Sequence, residues 1–524
     1  MKKLTALALA LMLALGLLAG CAGDEPAQGG NEPSQSGDNN NDPAGGEPAE
    51  NRDDLVIAFN NKIANYDPYS SSLAESYRLN RMLFDTVAEY VGFGGEVELR
   101  LAKNYEVSED GLSWTFELRD DAVFHDGTPV TANDVKVSVE AAMASPYTGS
   151  NLTNFESIEV TGERRFVLHT KAYDADTVGQ FDQAYIVPDE LYTSLGAEGF
   201  AEKLIGSGPF ALESQDEATG TMVLKANESY WGGVPAIKKI EIRFITDPST
   251  RLIALEKGEV DFLPTCYATD YETLSKNDSL QVSTFPSSNW SFMVLNNRQA
   301  PFDNKLVRQA IAYALDYETI SVIATGGVGT TVNSLFCKES YGFDTTGVKT
   351  YEYNPEKAAE LLSQAGVTTP LNLGTVQTPA GQKTTLEYIQ QNLAASGINF
   401  EIEQVEGSTY VNGLFSGSFT LAYMPSAGLG TVPARAYESL FKTGNPNNFA
   451  GYSSAEVDAL IDSMHSRKSD DELEKYVQDL LAVVQEEAPI INLHHISSVL
   501  AANKNLHVEL GGSCDFVFRD FRWN

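Results

Sequence analysis

Hydrophobic and polar positions alternate with a period of two in several short stretches of the chain. In Ser113-Trp114-Thr115-Phe116-Glu117-Leu118 the side chains of Trp114, Phe116 and Leu118 fall on one face, and Lys239-Ile240-Glu241-Ile242-Arg243-Phe244 repeats the pattern. Both stretches predict half-buried strands. Leu55–Phe59 is apolar throughout and predicts a short buried strand. Elsewhere the apolar spacing is helical. Thr131 with Asp134 has the form of a capping box, opening a helix with Val135, Val139 and Met143 inward. Asn354 caps a helix with Pro355 at its first position, Leu361, Leu362 and Ala365 on its stripe and Gly366 at its end. Ser453 and Glu456 form a second box before Val457, Leu460, Ile461 and Met464. Leu306, Val307, Ala310, Ile311, Ala314 and Leu315 make one face of a helix that continues to about residue 324. These stripes are read as core. Strands mixed with helices predict an α/β or α+β architecture, and no repeat of 20–50 residues is present.

The N-terminus departs from this pattern. Lys2 and Lys3 precede an uncharged apolar run, Leu4–Leu18, and then Leu18-Ala19-Gly20-Cys21. Small residues before a cysteine at the end of a signal peptide form a bacterial lipobox. Residues 1–20 are therefore expected to be cleaved, with Cys21 taking the lipid, such as palmitate. The run is too short for a retained spanning helix. Residues 22–54 contain nine acids, one base (Arg52) and alanine as their sole apolar residue type. Such a stretch cannot bury enough surface to fold, and residues 21–54 are read as a lipidated cysteine followed by a disordered acidic tether.

Composition narrows the class. The chain has 524 residues, 42% hydrophobic and 10% aromatic, which is globular and long enough for a large core. It carries 36 Lys+Arg against 72 Asp+Glu, a formal charge of −36, which repels phosphate and excludes nucleic acid as a partner. A role lying on anionic lipid is excluded for the same reason, so membrane attachment is expected through the N-terminal lipid alone. Cys266, Cys337 and Cys514 are widely spaced, which leaves at least one free thiol and leaves open whether two of them pair.

A search for catalytic chemistry returns little. His125, His169, His465, His494, His495 and His507 show no HExxH or HxH spacing. Adjacent side chains such as those of His494 and His495 point to opposite faces of a strand and cannot share a metal. Gly326-Gly327-Val328-Gly329 lacks the Gly-Lys-Ser/Thr of a phosphate-binding loop and reads as a turn. No GxSxG elbow occurs. The chain is read as non-enzymatic, with no cofactor and no metal site.

Several motifs then combine. Leu112–Arg119 followed by Phe124-His125-Asp126-Gly127-Thr128-Pro129-Val130-Thr131-Ala132-Asn133-Asp134-Val135 reads as strand, tight turn and capped helix. Gly206-Ser207-Gly208-Pro209-Phe210, Asn227 with Tyr230-Trp231-Gly232-Gly233 and Pro235, and Leu255 with Gly258-Glu259-Val260-Asp261 follow. Leu295-Asn296-Asn297, Pro301-Phe302-Asp303, Val307-Arg308-Gln309-Ala310-Ile311 and Tyr353-Asn354-Pro355 complete the set. Together they resemble the extracellular solute-binding proteins of the peptide/nickel type of ABC importer, over nearly all of residues 55–524. The resemblance implies a periplasmic-binding-protein-like clamshell of two lobes (type II) with an additional subdomain. By analogy the first lobe takes 55–80, 205–285 and 486–524, the extra subdomain 81–204, and the second lobe 286–485. It further implies capture of a peptide, peptide-like or other small polar solute between the lobes, ABC permease subunits as partners, a monomer, and an extracytoplasmic location on the cell membrane. A sensor without transport and a metal-chelate binder are the alternatives; a secreted hydrolase is the least favoured.

Within that resemblance, peptide binders hold the ligand's amino group with an aspartate in a loop of the form G-D-x-x-D-P. The corresponding loop here is Gly428-Leu429-Gly430-Thr431-Val432-Pro433, and both aspartates are replaced, by Leu429 and Val432. A buried ammonium without a charged or multiply hydrogen-bonding partner is costly, so a ligand other than a standard free-amine peptide, or a peptide held through its backbone, is expected. Tyr69 and Ser70, in Tyr66-Asp67-Pro68-Tyr69-Ser70, resemble the first cleft loop. Asn289, Trp290, Tyr423, Leu429 and Arg435 complete the expected ligand contacts.

Overall fold

The computed structural model describes residues 52–91, 96–216, 218–285, 287, 289–331, 346–379, 381–428, 432–511 and 516–524. The signal peptide, Cys21, nearly all of the tether, Leu429, Cys337 and Cys514 lie outside the described residues.

Among the described residues the strands form a seven-stranded, a six-stranded and a four-stranded sheet, with two further two-stranded pairings. The seven-stranded sheet runs Leu280–Phe285, Ser498–Asn503, Phe262–Cys266, Asp54–Phe59, Lys239–Phe244, Met222–Ala226 and Phe210–Gln215 across its width. The apolar strand Asp54–Phe59 is central and pairs in parallel with strands on both sides, which is why it reads as a continuous apolar run. One face packs helix Pro248–Glu256 through Ala58, Leu263, Val499 and Ala501. The other face shares a single core with the four-stranded sheet, Leu55, Ile57 and Phe59 joining Trp114, Phe116, Phe166 and Phe181. The four-stranded unit is thus packed onto the first lobe through a common hydrophobic interior.

The six-stranded sheet has the order Thr330–Thr331, Ile490–His495, Asn289–Leu295, Leu421–Gly428, Leu371–Thr378 and Ile398–Gln404. Both faces are covered. Met293 and Leu295 point into one core, while Trp290, Phe292 and Val294 point into the other, between helices Pro433–Phe441, Ala455–His465 and Asp470–Glu487. The chain leaves the seven-stranded sheet at Phe285, enters the six-stranded one at Asn289, and returns between His495 and Ser498. The two crossings are tied together, because Ile496 N donates to Asn289 O (2.9 Å) and Ser287 Oγ donates to Ile496 O.

Several expectations need correction. Residues 486–495 were expected in the first lobe; strand Ile490–His495 instead pairs with Asn289–Leu295 and belongs to the second sheet. The folded body starts before Leu55. Arg52 forms a fork with Asp261 (2.7 and 2.6 Å), and Lys238 N donates to Asp53 O (2.6 Å), so these residues are structure and not tether. The helix predicted from Ser453 is capped by Ser454, whose hydroxyl accepts from Val457 N at 3.3 Å. The helix predicted to run from 305 to about 324 is two, Lys305–Tyr313 and Tyr317–Thr325, because Asp316 caps the second by accepting from Thr319 N (3.2 Å). The Thr131 capping box is present in full, with Asp134 Oδ2 accepting from Thr131 N at 2.7 Å. The Asp126-Gly127 turn has Gly127 at φ +88°, in the left-handed region.

Candidate functional site

Between the two lobes lies a cleft of about 1440 Å³. Four groups of residues wall it. Helix Ala74–Leu83 contributes Tyr77 and Arg78, and the subdomain contributes Tyr147, Asn151, Tyr173 and Asp174. Ser287, Asn289 and Ser498 line it where the chain crosses between the sheets, and the second lobe contributes Arg435, Glu438 and His465. Hydroxyl and carboxamide side chains make up 22 of the 34 lining residues, which suits a polar solute held through many neutral hydrogen bonds.

The expected contacts divide. Asn289 and Arg435 line the cleft. Tyr69 and Ser70 do not. The Tyr69 ring is buried with its hydroxyl donating to Tyr185 O, and Ser70 Oγ closes a turn onto Asp67 O (2.7 Å). Their neighbours Pro68, Ser71 and Ser72 face the cleft instead. Trp290 and Tyr423 are each 1% exposed and sit in opposite cores of the second lobe, because the strand alternation turns them away from the cleft. Leu429 lies outside the described residues; Val432, from the same loop, is buried and lines the cleft.

Residues that the sequence reading passed over supply most of the charge. His465, which showed no metal-binding spacing in the sequence, ends helix Ala455–His465. Its Nδ1 lies 3.4 Å from Asp174 Oδ1 and its Nε2 3.2 Å from Glu438 Oε2. Burial alone would lower its pKa, but the two carboxylates outweigh it and raise the value to about 9, and His465 in turn holds both acids low. Asp176 accepts both guanidinium nitrogens of Arg467, with Nη1 at 3.0 Å from Oδ2. Asp174, Asp176 and His465 are, among the described residues, the one set of three whose ligand-type atoms fall within 4.8 Å. Their lone pairs are already engaged, by Arg467 on Asp176 and by Gln180 Nε2 (3.1 Å) on Asp174, so the set is a charge-compensated ion-pair cluster. Cys266 is a free buried thiol whose pKa burial pushes up to about 12, which leaves it unreactive at neutral pH.

The His465 geometry gives a pH prediction. Its folded pKa exceeds the unfolded value, so the stabilisation is fully present below about pH 6.5 and is lost as pH rises through about 9. The expected size is on the order of 2 kcal/mol, allowing for partial screening. Comparing unfolding free energies of the wild type and His465→Gln between pH 6 and pH 10 checks it. The gap between them should close with rising pH, and a constant gap would contradict the assignment.

Comparisons with known proteins place this geometry in context. The sequence model of the bacterial extracellular solute-binding proteins, family 5 (middle region), matches residues 96–448. The dipeptide-binding protein of Escherichia coli K12 is 26% identical over 478 residues, 84% of this chain and 89% of that protein. HbpA2 from Haemophilus parasuis superposes with a TM-score of 0.82 at 22% identity, over 90% of this chain and 100% of that one. The oligopeptide-binding protein AppA from Bacillus subtilis, solved with a nonapeptide, superposes with a TM-score of 0.70 at 22% identity, over 90% and 99% of the two chains. Among the described residues no helix is long and apolar enough to cross a membrane.

Proposed function

This chain belongs to the bacterial extracellular solute-binding proteins of family 5, and from that premise we propose that it captures a peptide, or a peptide-like small polar solute, for an ABC importer. The observation that carries this reading is the 1440 Å³ cleft between two lobes whose sheets are linked by paired crossings of the chain. Two bodies on such a joint close by hinge motion and bury what lies between them. The closed form is then what the permease subunits recognise, and no bond is made or broken in the solute. Cys21 anchors the protein by its lipid on the outer side of the membrane, and the acidic tether lets a monomeric body reach the permease.

The cleft chemistry refines the solute. Val432 stands where peptide binders of this type carry an aspartate, and Glu438, the nearest acid on the adjoining helix, is engaged by His465. A ligand held through its backbone amides and polar side groups fits these walls better than one anchored by a free amine. Isothermal calorimetry with di- to pentapeptides and their N-acetylated counterparts tests this. Acetylation is expected to change affinity by less than about threefold, well under 1 kcal/mol. A loss of tenfold or more would establish an amine anchor, and no heat from any peptide would remove peptides as the class.

A further inference from the structure

One cluster of charged side chains beside the cleft pairs from one half of the molecule to the other. Asp174 and Asp176 lie on the subdomain segment after strand Arg165–Thr170. Their partners Arg435, His465 and Arg467 lie on or just after helices Pro433–Phe441 and Ala455–His465 of the second lobe. The subdomain shares one hydrophobic core with the first lobe, so a bond from it to the second lobe is a bond between the two halves of the clamshell.

Besides the ion pairs, the backbone joins in: Ala175 N donates to His465 O at 2.8 Å. Arg435 Nη1 donates to Asn151 O at 2.7 Å, and its Nη2 stands 3.9 Å from Asp174 Oδ2. Lys468 Nζ sits 3.8 Å from the centre of the Tyr173 ring. The Asp176–Arg467 pair is the firmest element, with side chains 2% and 8% exposed and bidentate geometry. A charge pair this deeply buried is costly unless both partners are present, so parting the halves exposes two ions that must be re-solvated together.

We infer that Asp174, Asp176, Arg435, His465 and Arg467 form a latch that positions the two halves in the closed arrangement, with its Asp176–Arg467 pair set behind the residues that line the cleft. The latch rests on reading the cleft as the solute site, but it is a property of the protein alone. It makes closure partly independent of solute and sets how long a captured solute is retained.

The test uses the purified full chain without added solute. Arg467→Met removes the pair, and the double variant Asp176→Asn/Arg467→Gln keeps its shape with neutral hydrogen bonds should Arg467→Met fail to fold. Small-angle X-ray scattering and amide exchange are read together. The expected result for the double variant is a larger radius of gyration. Exchange at Ala175 should also be at least about tenfold faster, with the sheet amides of Ser113–Leu118 unchanged. An unchanged radius and unchanged Ala175 exchange in the folded double variant would overturn the latch. Equal acceleration at Ala175 and in the sheet would also overturn it, by showing that the pair serves general stability. Because no ligand is involved, these outcomes stand apart from the calorimetric test of function.

Discussion

Asp85→Ala lowers the unfolding free energy by about 3–5 kcal/mol. The carboxylate is buried and accepts from three donors at once: Tyr230 OH (3.0 Å), Trp231 Nε1 (2.9 Å) and Ser207 Oγ (3.2 Å). Arg100 donates to Tyr230 OH (3.0 Å) and lies 4.7 Å from the Trp231 ring centre, so the acid also answers a buried cation. Burial drives its pKa up, and Arg100, Trp231 and Tyr230 pull it back. Removing it leaves three donors without their acceptor in a low-dielectric site and takes away a charge that offsets Arg100. Asp85→Asn is expected to recover little, since its amide hydrogens would face donors. Chemical denaturation followed by circular dichroism measures both variants, and a loss under 1 kcal/mol for alanine would refute the network's importance.

This network also gives Gly206-Ser207-Gly208 and Tyr230-Trp231 a structural role away from the cleft. A side chain at Gly206 would sit 2.0 Å from Leu83 O, and one at Gly208 2.6 Å from Leu83 C. The two glycines let the segment press against the backbone that carries Asp85, and Ser207 between them reaches the carboxylate.

Trp290→Ala costs about 3–5 kcal/mol through the cavity it opens. The indole is 1% exposed and packs on Phe292, with ring centres 5.3 Å apart, beneath the helices of the second lobe. The same variant discriminates between its two readings. A core residue loses stability and leaves solute affinity in the surviving folded fraction within about threefold, whereas a ligand contact would do the reverse. Thermal melts and calorimetry on one preparation decide between them.

Local signals in the sequence carried far, and distant ones did not. Period-two alternation located Ser113–Leu118 and Lys239–Phe244 to the residue, because one buried face suffices to write the pattern. Asn354 was found as a cap because cap and helix are neighbours. By contrast, Arg52 reads as the lone base of an acidic linker, since its partner Asp261 is 209 residues away. The pairs His465–Asp174 and Arg467–Asp176 each span 291 residues. The cleft is made almost wholly of such meetings. Trp290 and Tyr423 show the opposite error: aromatics near a chain crossing look exposed to ligand until the pleat decides which way they face.

The seating of the first strand has a mechanical consequence. Asp54–Phe59 is hydrogen-bonded in parallel on both sides, Arg52 clasps Asp261 and stacks 4.3 Å from the Trp523 ring centre, and Trp523 Nε1 holds Asp54 O at 2.8 Å. A pull applied through residue 51 therefore loads the strand in shear, along its length, against all of these bonds together. It cannot peel them one by one as it could an edge strand. In the proposed anchored form, tension entering through the N-terminus would be borne first by the middle of the seven-stranded sheet.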